Sequence, residues 1–93
     1  MAVGRITAAA VAALKPGEQL WDNEVRGFGV RRRDAGAVYC LKARVKGRQA
    51  LITIGRHGRG HWGPESARRE AIRLLGLIRD GRDPAAERRA ERA

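Results

Sequence analysis

Between residues 27 and 55, apolar and polar side chains alternate with a period of two, and the alternation is broken by glycine-bearing turns. A period of two places successive side chains on opposite faces of a strand. Three strands are predicted, over 27–33, 38–45 and 49–55. Asp34-Ala35-Gly36 supplies the first turn and Lys46-Gly47 the second, a two-residue connection in which glycine provides positive φ. Connections this short force antiparallel pairing. Leu20-Trp21-Asp22 can add a brief strand at the edge.

Helical patterns flank this meander. Thr7 is placed to N-cap a short helix through Leu14, stopped by Lys15-Pro16-Gly17. Gly63 and Pro64 open a second helix as N-cap and first residue, with Glu65 near the positive end of its dipole. Ala67, Ala71, Leu74, Leu75 and Ile78 repeat at the helical period until Asp80-Gly81. The expected fold is therefore α+β: a three-stranded antiparallel sheet packed on a C-terminal α-helix, with a short N-terminal helix. The charged stretch 84–93 reads as a linker, or the start of a helix, leading to a downstream domain. Residues 1–83 form the expected domain.

The chain has 93 residues and 10.2 kDa, room for one small domain. Its formal charge is +10, unevenly distributed. Residues 26–59 carry ten cations against Asp34 alone, whereas residues 1–25 are net −1 and 60–93 net +2. The cations coincide with the strands, and strand parity sorts them. Phe28 and Val30, then Tyr39, Leu41 and Ala43, then Ile52 and Ile54 form an apolar set for the helix. Arg31 and Arg33, Cys40, Lys42 and Arg44, and Gln49, Leu51 and Thr53 point the other way. A cationic face implies a phosphate-rich partner, and double-stranded DNA is the expected one. Solvated strands usually mix signs because facing like charges destabilise a sheet.

Three strands about 4.8 Å apart make a plate about 10 Å wide, comparable with the ~12 Å major groove of B-DNA. Arg31, Lys42, Arg44, Gln49 and Thr53 are the candidate base readers. Arg33, Lys46, Arg48, Arg56 and Arg59, nearer turns and strand ends, are the candidate phosphate contacts. An RNA-binding sheet is the alternative, but such sheets display two or three aromatics and the outward set holds none. A third class is a module for an acidic protein partner.

Other chemistry finds little support. One cysteine, Cys40, permits neither an intramolecular disulfide nor a cysteine-based zinc site; flanked by cations, it has conceivable thiolate character. His57 and His61 stand four apart, but the glycines between them disfavour the helix a metal pair would need. No cofactor, metal or small-molecule substrate is expected, and no paired carboxylates or phosphate loop appear. No apolar run approaches the ~20 residues of a membrane span, and the alanine-rich stretch 6–14 is a poor secretory signal, so a cytoplasmic location is expected. Trp21 is expected to pack under the sheet edge, with stacking on a base as the alternative, and Trp62 to staple the second helix.

The order of landmarks resembles a known family. Leu14-Lys15-Pro16-Gly17, Trp21-Asp22, Gly27-Phe28-Gly29-Val30-Arg31, Lys42-Ala43-Arg44, Leu51-Ile52-Thr53-Ile54-Gly55, Ala67-Arg68 and Gly81-Arg82-Asp83-Pro84 resemble the N-terminal arm-type DNA-binding domain of phage and genomic-island tyrosine integrases. The resemblance implies sequence-specific binding to arm-type sites by a sheet in the major groove, and a parent tyrosine recombinase acting in DNA integration. It also implies contact with other recombinase protomers through further domains. The catalytic tyrosine of such integrases lies in a separate domain. Here Tyr39, the sole tyrosine, falls on the inward strand parity, so this chain is expected to be non-catalytic. Arg26 stands where the family often has proline, and Arg32 where an apolar residue is usual, which implies a twisted or frayed first strand.

Overall fold

A computed structural model of the chain describes residues 2–92, without the side chain of Arg92; the outermost residues of the expected domain and linker, Met1 and Ala93, lie outside them. The elements run β1 (Ala2–Gly4), α1 (Ala8–Ala13), β2 (Gln19–Asp22), β3 (Phe28–Arg33), β4 (Gly36–Val45), β5 (Arg48–Arg56), α2 (Pro64–Arg79) and α3 (Pro84–Arg92).

The fold remains α+β, but a three-stranded antiparallel sheet on one C-terminal helix is not what forms. The sheet has five strands in the order β1-β2-β3-β4-β5 and is mixed, because β1 runs parallel to β2 while the other pairs are antiparallel. Of the two further strands, β2 forms where a brief strand was expected at Leu20-Trp21-Asp22, whereas β1 has no counterpart in the local pattern. Three residues in β1 are too few to display a period, and the strand is held by long-range pairing of Ala2, Val3 and Gly4 with Leu20, Trp21 and Asp22. In β2 the inward position after Leu20 is a carboxylate, Asp22, which breaks the apolar alternation and finds its partners far away in sequence.

The meander itself follows local chemistry. Val45 pairs with Arg48 across Lys46-Gly47, and both turn residues have positive φ, 51° and 81°, as a type I′ hairpin requires. The β3 strand runs unbroken through Arg32 and Arg33, so no fraying occurs there. A register shift falls between Tyr39 and Cys40, which pair with Gly55 and Thr53 and leave Ile54 as the extra residue of a bulge. Both Ile52 and Ile54 are thereby buried.

The α2 helix starts at the N-cap Gly63 with Pro64 in its first turn, and the Ser66 hydroxyl accepts from the Gly63 amide at 2.9 Å. Ala67, Ala71 and Leu74 close over Phe28, Val30, Tyr39, Leu41, Ile52 and Ile54 in one core, which Ile6 and Val11 complete from the N-terminal side. Trp62, expected to staple this helix, is placed against the sheet. Its indole lies over Gly55, leaving no room there for a Cβ, and joins the edge of the core. The stretch 84–92 is a helix rather than an extended linker. Asp83 accepts from the Ala86 amide at 3.1 Å, Pro84 is buried, and Arg88 bonds both the Thr53 carbonyl on the outer edge of β5 and Glu70 of α2. A charged side chain on an edge strand blunts its open ladder.

At the entrance to β3, Gly27 has φ 88°, and a Cβ built there would stand 2.2 Å from the Lys42 carbonyl oxygen. The carbonyl belongs to a paired strand and cannot retreat. Gly27→Ala is therefore expected to destabilise the domain by about 2–3 kcal/mol, measured as a fall in thermal midpoint of roughly 8–24 °C.

Candidate nucleic-acid interface

The register of the four antiparallel strands sets out the outward face row by row. Gln19, Arg31, Val38 and Arg56 form one row, then Trp21, Gly29, Cys40 and Thr53, then Lys42 with Leu51, then Arg44 with Gln49. Arg33 lies beyond the first row, opposite Gly36. All five candidate base readers, Arg31, Lys42, Arg44, Gln49 and Thr53, thus stand on one face, directed away from α2. Arg33 and Arg56 of the phosphate set share it.

The other three phosphate candidates are dispersed. Lys46 sits in the hairpin turn. Arg48 pairs with the buried Val45 and so lies on the α2 side by register, though at the exposed end of the sheet. Arg59 projects from the loop between β5 and α2, beyond the other end of β5.

Glu18 lines one hollow of this face together with Arg31 and Lys42, yet forms an ion pair with neither. Among the described residues, every ion pair uses Arg5, Arg68, Arg73, Arg82 or Arg88, and none uses a cation of 26–59. Among the described residues, the one side-chain hydrogen bond made by an outward cation of the sheet is Arg31 to the Gln19 amide oxygen at 3.4 Å. Arginines without internal partners remain available to phosphate or guanine.

Trp21 was misplaced by sequence reasoning. It lies on the outward face, over Gly29, where a Cβ would come within 2.7 Å of its ring. The Lys42 Nζ sits 6.0 Å from its centroid, so the plate carries one half-buried aromatic. The signal was present: glycine inside a strand often marks close approach by a neighbour. Arg26, also omitted from the predicted site, lines a shallow hollow with Trp21, Lys42 and Gln49.

Cys40 faces outward by parity yet is only 6% exposed. Burial pushes its thiol up against the opposing pull of Arg31 and Arg33, so the expected thiolate character is lost. Tyr39 is fully buried and stacks on Phe28 at 5.9 Å. Burial also raises its phenol, to about 12 against the opposing charge of Arg68. It therefore stays protonated, and its hydroxyl shares a hydrogen bond with His57 Nδ1 at 2.6 Å.

What holds the plate to the helix is a buried ionic node that the sequence did not single out as such. Arg68 of α2 reaches Asp22 with Nη2 to Oδ1 at 3.0 Å and Nε to Oδ2 at 3.3 Å, and also donates to the Ile6 carbonyl at 2.8 Å. Asp22 accepts in turn from the amides of Ile6, Glu24 and Val25. One carboxylate thus ties the N-terminal segment, β2 and the β2–β3 loop to α2.

No helix among the described residues is long and apolar enough to cross a membrane. No curated protein and no solved structure matches the chain significantly. The sequence model of the arm DNA-binding domain matches residues 6–91, from the strand of chain that feeds α1 to nearly the end of α3. That span contains β2 to β5, the outward cations and the ionic node, so a +10 chain with an unpaired cationic sheet face belongs to the arm DNA-binding domain family, a non-catalytic DNA-binding module of integrases.

Proposed function

We propose that β3, β4 and β5 enter the major groove of duplex DNA and read its sequence, tethering a tyrosine recombinase to arm-type sites during integration. The observation that carries this reading is the set of cations sharing the face opposite α2, none of them in an ion pair among the described residues. Width decides which part enters. Five strands span about 19 Å, too broad for a groove of about 12 Å, whereas β3–β5 span about 10 Å. On this reading β1, β2 and Trp21 ride on the flank, beside the sugar–phosphate wall.

Within the groove, Arg31, Lys42 and Arg44 face base edges together with Gln49 and Thr53. A bidentate arginine on guanine or glutamine on adenine contributes about 1–3 kcal/mol of discrimination. Arg33, Lys46, Arg48, Arg56 and Arg59 contact phosphates, which set position without reading sequence. Residues 1–83 carry the DNA-binding surface, and 84–93 lead toward the catalytic part of the parent protein. A second DNA contact would raise that part's local concentration at the recombination core.

The test is a comparison of preferred and random duplexes. Arg44→Ala is expected to lose about tenfold or more on the preferred duplex and little on the random one, while Arg59→Ala weakens both alike. Equal losses on both duplexes for Arg44→Ala would refute its role as a base reader. The RNA alternative has one observation in its favour, the outward Trp21, where stacking sheets use two or three aromatics. Competition by single-stranded RNA equal to that by duplex DNA would establish it instead.

A further inference from the structure

The plate is not uniformly polar. Leu51 is 53% exposed at the middle of β5, paired with Lys42 and flanked on its own face by Gln49 and Thr53. It forms part of the wall of a shallow hollow of about 740 Å³ that Trp21, Lys42 and Gln49 also line. Of the outward side chains on β3–β5, Val38 is half-buried and Cys40 buried, so Leu51 is the one large apolar group standing well clear of the sheet.

A lone exposed leucine is ordinary on most surfaces. Its position between Gln49, Lys42 and Thr53 makes it unusual here. A leucine offers nothing to a phosphate, and against most base edges it would cover a donor or acceptor without replacing its hydrogen bond. The major groove has one apolar feature, the C5-methyl of thymine.

We infer that Leu51 is a specificity-determining residue that selects thymine by packing on its 5-methyl group. The inference rests on the proposed major-groove reading and adds an apolar contact to its polar ones. Gln49 lies two residues before Leu51 on the same face, about 6.8 Å away along the strand. Glutamine pairs with adenine, so the two side chains together favour A·T pairs in the part of the site beneath the start of β5.

The experiment uses the chain with a duplex selected by it from a random-sequence pool. Each thymine is replaced singly by deoxyuridine, which removes only the methyl group. Burying one such carbon group is expected to change affinity about fourfold, so one position should lose about that much with the wild-type chain. Leu51→Ala, an exposed substitution compatible with folding, should bind thymine and deoxyuridine equally there. Methylation of guanine N7, which blocks the major groove, is measured on the same duplex as an independent reading of groove engagement. If N7 methylation interferes but no deoxyuridine position distinguishes wild type from Leu51→Ala, the thymine contact is overturned and the groove reading stands. If N7 methylation and deoxyuridine are both without effect, the groove reading falls and the inference with it.

Discussion

Arg68→Ala is expected to destabilise the domain by about 3–5 kcal/mol, because removing one member of a buried ion pair leaves the other charge buried without its counter-charge. Small domains are stable by only about 5–15 kcal/mol, so this one substitution removes a large share. Arg68 and Asp22 are each about 5% exposed, and their bonds join four segments distant in sequence. Asp22→Ala should act similarly, with the added loss of the acceptor for the Ile6, Glu24 and Val25 amides. Chemical unfolding of the two variants against the wild type measures both effects; losses below about 1 kcal/mol would show that the node is dispensable.

The same node predicts a dependence on pH. Burial raises the Asp22 carboxyl, but hydrogen bonds from Arg68 and from the Ile6 and Val25 amides, with the charge of Arg68, outweigh it and hold the group below its ordinary value of 3.8. As pH falls, the unfolded chain takes up this proton before the folded one does. The stabilisation is therefore present above 3.8 and is lost as pH falls from there through the folded value. Stability measured across that window should decline more steeply for the wild type than for Arg68→Ala.

Affinity for duplex DNA should fall with salt at a log–log slope of about −4.5 if Arg33, Lys46, Arg48, Arg56 and Arg59 each neutralise one phosphate, at about −0.9 per contact. A fourfold rise in salt then weakens binding about five-hundredfold. Arg59→Ala should reduce the steepness by about one, and Arg48→Ala tests the candidate whose register places it on the α2 side. A slope near zero would eliminate the cationic face as the source of affinity. The absence of ion pairs to these side chains explains why the effect should be large: no internal carboxylate has to be displaced before phosphate binds.

Much of this was legible in residues 27–55 and 63–81. The period of two, the Lys46-Gly47 turn and the Gly63-Pro64 helix start all act over a few residues, where local chemistry decides the outcome. The parity that put Arg31, Lys42 and Arg44 together follows from the pleat of any strand. Their number on one side required no tertiary knowledge.

Other features lay beyond that reach. The strand Ala2–Gly4 has no period to detect. That Asp22 belongs to a brief strand could be read, but not that Arg68, 46 positions later, would meet it in the interior. Trp21 took the outward side because Gly29 on the next strand left room for a flat ring. Cys40, cation-flanked in sequence, became a buried thiol once neighbouring strands covered it.

The amino-acid sequence by itself determined the cationic meander and its covering helix, since turn chemistry and side-chain alternation depend only on near neighbours. Tertiary structure alone decided the fifth strand, the ionic node and the outward, half-buried seat of Trp21. Those outcomes depend on which distant groups satisfy a buried charge or leave a surface uncovered, and no local pattern encodes such a partner.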